Sequence, residues 1–186
     1  MKNKNYTKEL RFSESELIEA CVKEDRRAQR EVYEKYSSRM YSICIRYMGD
    51  RERAKDMLQD GFVNLFFKIK SYSGEGSFEG WARKIFVNTC LMEMRRRDAL
   101  KESEDIEEMF VNSPSEENIL GSLGYKDIMK LIEEMPDGFR IVFNMNAIEG
   151  YSHQEIAEHL GISEGASRSQ LSRARSWLQG KIKRYE

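Results

Sequence analysis

Two helix starts and one helix stop crowd into the 24 residues from Ser152 to Arg175. Ser152 can cap orphan amides with its hydroxyl, and Glu155 stands three positions on as the reciprocal partner of a capping box. Gly161 is placed to end that helix, because glycine enters the left-handed conformation without steric cost. Ile156, Ala157 and Leu160 share one face, Ile162 plugs the turn, and Ser163 is positioned to cap a second helix. Advancing 100° per residue along that second helix puts Ser167, Leu171, Ala174, Leu178 and Ile182 in one inward arc. Arg168, Ser169, Ser172, Arg173 and Ser176 fall on the opposite arc. The outline is that of a helix-turn-helix. Guanidinium forks and short hydroxyls on one exposed face suit a DNA major groove, and the cap, turn glycine and apolar plug favour that reading over a merely solvated face.

A total charge of -1 on 186 residues looks wrong for a DNA binder until the charge is mapped. From Lys101 to Gly124 seven acids (Glu102, Glu104, Asp105, Glu107, Glu108, Glu116, Glu117) face Lys101 alone, a net of -6, which leaves +5 for the rest of the chain. Local fields decide what docks where. Charged residues at 34% with only two prolines predict an all-α fold, and 40% hydrophobic residues suffice for ordinary cores. No apolar run is long enough to cross a bilayer, and Met1 to Arg11 is polar rather than signal-like, so a cytoplasmic protein is expected. Cys21, Cys44 and Cys90 are odd in number and sit in apolar helical patterns, which predicts small buried hydrophobes rather than a disulfide framework or zinc site. His153 and His159 lie on different helix faces without metal-type neighbours. No nucleophile and base are placed together, so neither an enzyme nor a metal or cofactor binder is expected.

Two small helical domains joined by an acidic linker are predicted, with boundaries at 13–98, 99–124 and 125–186. In the first, Ser13 with Glu16 forms a capping box, and Ala28, Val32, Tyr36, Met40, Ile43 and Tyr47 make a stripe ending at Gly49. Asp50 restarts the chain, Met57, Leu58, Phe62, Leu65 and Ile69 continue the apolar face, and Ser77 opens another helix running to Arg95, Arg96 and Arg97. The second is read as a helix from Tyr125 to Met135, a stop at Pro136, a helix from Asp137 to Glu149, and the helix-turn-helix.

Several motifs stand in this order: Ala54-Lys55-Asp56-Met57-Leu58-Gln59-Asp60-Gly61-Phe62, then Gly74-Glu75-Gly76-Ser77-Phe78-Glu79-Gly80-Trp81 with Asn88. Gly150-Tyr151-Ser152, Glu155-Ile156-Ala157, Leu160-Gly161-Ile162-Ser163 and Ser172-Arg173-Ala174-Arg175 follow. Together they resemble the extracytoplasmic-function group of bacterial RNA polymerase sigma factors, which keep regions 2 and 4 joined by a linker. Ser163-Glu164-Gly165 through Ser169-Gln170-Leu171 looks like the version common in the Bacteroidetes branch. The resemblance spans about Ala28 to Trp177 and implies an alternative sigma factor that binds core RNA polymerase and directs initiation at its promoters, minus-10 melting included.

By the same resemblance, Asp56, Gln59 and Asp60 would meet a helical coiled coil of core polymerase. Tyr72, Ser73, Gly74 and Phe78, with Asn88 on the following helix, would receive a flipped minus-10 base, a task to which close backbone approach and aromatic stacking are suited. Arg83, Lys84, Arg95 and Arg96 would meet DNA phosphates. Arg168, Ser169, Ser172 and Arg173 would read the minus-35 element, and these are side chains of the arc already found to face outward. Trp81 and Phe86 read as core. Gly61 stands where the family often has a branched residue, and Gln170 where it often has arginine. The family also implies an anti-sigma factor as partner, often one held in a membrane. A free-standing helix-turn-helix regulator is the rival, which would bind its operator tightly without polymerase. An interaction adaptor would leave the arginine face unused.

Overall fold

The computed structural model describes residues 13–103 and 124–182. The first block comprises α1 (Glu14–Val22), α2 (Arg26–Met48), α3 (Arg51–Lys68) and α4 (Phe78–Ser103), with a single 3-10 turn at Ile69–Ser71. The second comprises α5 (Tyr125–Glu133), α6 (Asp137–Phe143), α7 (His153–Leu160) and α8 (Glu164–Ile182), and no strand occurs among the described residues. The fold is all-α, as composition and periodicity predict.

Local chemistry sets the helix ends. Ser13 and Glu16 close a capping box on α1, Asp25 accepts from the amides of Arg27 and Ala28 at α2, and Asp50 accepts from Arg53 at α3. Gly49 ends α2 at φ 66°, and a Cβ there would also press on the Arg140 guanidinium and the Glu133 carbonyl. Conformation and crowding both require glycine at that position.

In the first block the predicted stripes meet. Val32, Tyr36, Met40 and Ile43 of α2 pack with Ala54, Phe62 and Leu65 of α3 and with Phe86, Cys90 and Leu91 of α4, all buried. Each large side chain so buried contributes roughly 1.5–3 kcal/mol. The three cysteines are buried and free, and burial pushes the Cys21 thiol up to about 11, as expected of an inert hydrophobe.

Two helix ends depart from the sequence reading. Helix α4 continues to Ser103, past the predicted boundary at Asp98, while residues 104–123 of the acidic linker lie outside the described residues. The single helix predicted from Asp137 to Glu149 ends at Phe143 and passes into a π turn over Asn144–Ile148, in which the Glu149 amide donates back to the Asn144 carbonyl at 2.9 Å. The two blocks share one core: Ile141, Val142, Met145, Ile156 and Leu171 join the buried cluster of the first block.

Polar chemistry reinforces that junction. The last carbonyls of a helix lack intrahelical partners, and at the end of α2 the second block supplies them. Arg140 donates from Nε to the Tyr47 carbonyl at 3.2 Å and from Nη2 to that of Met48 at 3.1 Å, and Asn144 Nδ2 donates to that of Arg46 at 2.8 Å. Beside them Glu149 accepts from Arg46 at 2.8 Å and from Arg83 at 2.9 Å.

Candidate nucleic-acid interface

The helix-turn-helix is built as its caps require. Ser152 accepts from the Glu155 amide while the Glu155 carboxylate accepts from the Ser152 amide and hydroxyl, both at 2.8 Å. Gly161 ends α7 at φ 68°, and Ser163 Oγ accepts from the Ala166 amide at 3.1 Å to start α8. Helix α8 buries Ser167, Leu171 and Ala174, and His153 Nδ1 meets Ser167 Oγ at 2.8 Å, tying the two helices together. The opposite face exposes Arg168, Ser169, Ser172 and Arg173 side by side. Arg168 is not free in this state, since it donates to Glu164 at 2.6 Å. Gln170 turns aside: its amide lies against Gly138 on α6.

The Glu155 cap carries a pH dependence. Hydrogen bonds from the Ser152 amide, and then from its hydroxyl, hold the carboxyl below its ordinary value of 4.5. A depressed folded-state value means that its contribution is complete above 4.5 and is lost as pH falls through the lower folded value. The α7 amides should therefore lose hydrogen-exchange protection as the pH is lowered from 4.5 through that depressed value, and Glu155→Gln, which keeps a weaker cap without the proton, should flatten that dependence.

On α3, Asp56, Gln59 and Asp60 are exposed, as predicted, on the face opposite Phe62 and Leu65. Sequence reasoning missed that this face continues into apolar residues. Val63 is 67% and Phe67 85% exposed, and Val63 lines a cavity of about 430 Å³ together with Asp60 and Met92 of α4. Their signal was present: Val63 and Phe67 follow Asp56 at i+7 and i+11, the same helical face. Exposed apolar groups clustered beside polar ones mark docking surfaces.

The loop before α4 is ordered by its aromatic residues. The Tyr72 hydroxyl donates to the Gly76 carbonyl at 2.8 Å, and its ring meets Phe78 and Trp81, each at 5.4 Å between centroids. Phe78 corrects the sequence reading. It is fully buried, packed against Tyr36 as well as Trp81, and so cannot stack on an incoming base. Phe78 supports the wall instead, while Tyr72 and Trp81 are half-buried and Ser73 and Gly74 exposed. Asn88 is half-buried on α4. Phe86 is core, and its ring fills the space above Gly61.

The cations of α4 differ in availability. Arg95 and Lys84 are exposed, Arg96 donates to Glu93 at 2.8 Å, and Arg83 is held by Glu149. Arg83 and Lys84 line a cavity of about 470 Å³ between α4 and the second block, faced there by Glu149, Tyr151 and Glu155. Arg46, Arg140, Asn144 and Glu149 were not singled out by sequence reasoning. Their partners lie about a hundred positions away, beyond any local pattern.

Comparison with known proteins accords with this geometry. The family model described as Sigma-70 region 2 matches residues 32–100, and that described as Sigma-70, region 4 matches residues 125–178. The ECF RNA polymerase sigma factor SigE of Mycolicibacterium smegmatis is 30% identical over 154 residues, 80% of this chain and 59% of that protein. The ECF RNA polymerase sigma-E factor of Haemophilus influenzae is 26% identical over 182 residues, 92% of this chain and 96% of the relative. That of Escherichia coli is 27% identical over 179 residues, covering 89% and 92%. Among solved structures, the sigma factor RpoE in complex with the anti-sigma factor NepR from Bartonella quintana shares the fold, with a TM-score of 0.54 at 22% identity over 83% of this chain and 96% of that one. With region 2 matched across α2 to α4, region 4 across α5 to α8, and the Haemophilus and Escherichia relatives matched over nearly their whole length, the chain belongs to the ECF RNA polymerase sigma factors.

Proposed function

We propose that this sigma factor divides its work between the faces described above. Region 2, within 13–98, grips core RNA polymerase through Asp56, Gln59 and Asp60, extended by Val63 and Phe67. Region 4, within 125–186, reads the minus-35 element through Arg168, Ser169, Ser172 and Arg173, and the acidic stretch within 99–124 bridges the two. The wall of Tyr72 and Trp81, with Ser73, Gly74 and Asn88, receives a melted minus-10 base, and Arg83, Lys84, Arg95 and Arg96 meet phosphates. The observation that carries this reading is the exposed Arg-Ser face of α8 on a fully capped helix-turn-helix. The protein works where polymerase and chromosome are, in the cytoplasm, by binding rather than by catalysis. Its partners include an anti-sigma factor, as for the Bartonella quintana sigma factor RpoE, whose structure is a complex with the anti-sigma factor NepR. Among the described residues no helix is long and apolar enough to cross a membrane, so a membrane-held anti-sigma factor would bring its own anchor.

Run-off transcription with purified core polymerase and a pool of genomic promoters tests the proposal. Discrete start sites dependent on the protein are expected, and operator-like binding by the free chain without polymerase would favour the rival regulator. Arg173→Ala should cost about 1–3 kcal/mol of promoter discrimination while leaving polymerase association intact. Competition transcription between matched and mismatched minus-35 templates measures that loss.

A further inference from the structure

We infer that Glu149 is an internal stand-in for a DNA phosphate: it holds the free protein closed by occupying Arg83 and anchoring Arg46, and promoter engagement requires it to let go. The inference rests on the proposed role of Arg83 as a phosphate contact and adds what covers that residue before DNA arrives. Glu149 presents one carboxylate oxygen to Arg46 Nη2 at 2.8 Å and the other to Arg83 Nη2 at 2.9 Å, the charge-assisted geometry that a phosphate oxygen would adopt. The Arg46 and Glu149 side chains are 8% and 6% exposed, whereas that of Arg83 is 39% exposed. One arm of the clasp is therefore buried structure, and the other is a cation within reach of a competitor. Lys84 and Glu155, of opposite charge, line the same cavity.

The π turn puts the carboxylate there. Closing with the Glu149 amide on the Asn144 carbonyl, it carries Glu149 to Arg83 while Asn144 caps the Arg46 carbonyl. The seam is also imperfect: Arg46 Nε, Tyr47 OH and Asn144 Oδ1 are buried with no hydrogen-bond partner. Buried polar groups left unpaired are costly, and separating the blocks would hydrate all three, which lowers the work of opening.

Closure is incompatible with two-site promoter binding. A compact chain of this length has a radius of gyration of about 16 Å and spans about 40 Å, whereas promoter elements two helical turns apart lie about 70 Å from each other. A state whose two blocks share one core cannot cover both, so the seam must part.

The test uses the full chain, labelled at Ser38→Cys on α2 and Gln179→Cys on α8, both exposed positions, while the three native cysteines are buried. Inter-label distance and affinity for a random-sequence DNA duplex are measured with and without Glu149→Gln. The closed protein withholds Arg83 from DNA, so Glu149→Gln should lengthen the distance and raise affinity by about tenfold. The freed Arg83 should also steepen the salt dependence by about one phosphate contact. An unchanged distance overturns the inference, even if affinity rises, because loss of one negative charge would then act through the field alone. Asn144→Leu removes the amide cap on Arg46 without changing charge and should lengthen the distance too, which keeps the test open should Glu149→Gln fail to fold. Unchanged distances in both variants would reject the clasp. Failure of the wild-type protein to associate with core polymerase would instead sink the sigma-factor reading and leave these distances as they are.

Discussion

Gly61→Val is expected to destabilise the protein by about 3 kcal/mol or more and to lower its melting temperature by about 10 °C. A glycine inside a helix ordinarily weakens it by nearly 1 kcal/mol relative to alanine, so adding a side chain would normally help. Here it cannot, because a Cβ on Gly61 would overlap ring carbons Cε1 and Cδ1 of Phe86. That ring has nowhere to go: it is fully buried and meets the edge of Phe62 at 5.1 Å. The α3–α4 pair would have to separate, displacing Asp60 and Gln59 from the face they share with Asp56. Even Gly61→Ala should therefore destabilise, against its propensity. Thermal denaturation of both variants checks the sign, and Gly61→Val combined with Phe86→Ala should recover part of the loss, since the two sites compete for one volume. Additive losses in the double variant would show that the two positions do not share that space.

The same pair of residues illustrates what a sequence can disclose. Helix ends were legible because capping chemistry is local: Ser13 with Glu16, Asp50, and Ser152 with Glu155 all stand within four positions of the amides they satisfy. The two faces of α8 were legible because a period of 3.6 residues needs only one buried side to fix the other. Gly61 was noticed as an anomaly, but its filler comes from another helix, and nothing near position 61 names Phe86. Phe78 failed for a related reason. Its place after two loop glycines suggests an exposed aromatic, and only the approach of Tyr36 from α2, at 5.5 Å between ring centroids, turns it into core. The π turn was invisible because an i+5 closure differs from an i+4 closure by one residue and leaves no compositional trace. The seam between the blocks was hidden most completely, since helix C-terminal carbonyls and their donors carry no pattern linking them along the chain. Two helical blocks were legible from periodicity, and the buried cluster running through both adds how they pack on each other, which no local pattern carries.

The seam also makes Arg140 the most sensitive single position outside the apolar core. Its guanidinium, 5% exposed, donates to the carbonyls of Tyr47 and Met48 across the seam, to those of Glu133 and Met135 within its own block, and to Asp137 at 2.7 Å. These bonds satisfy carbonyls at the end of α2 and complement the negative end of its dipole. Arg140→Met keeps much of the volume but leaves four carbonyls without that donor, and should cost about 3–5 kcal/mol. Arg140→Lys should recover little, because three donors on a point charge cannot reproduce a planar fork directed at carbonyls on two sides. The consequence should be visible in the shape of unfolding and not only in its midpoint. While the blocks share a core, urea should unfold the wild-type protein in one transition. Without Arg140 the second block should lose structure first, giving a separate early transition when the tryptophan of region 4, Trp177, is followed apart from Trp81 of region 2. A single transition merely shifted to lower urea would mean that apolar contacts alone couple the blocks, and that the guanidinium contributes stability without holding them together.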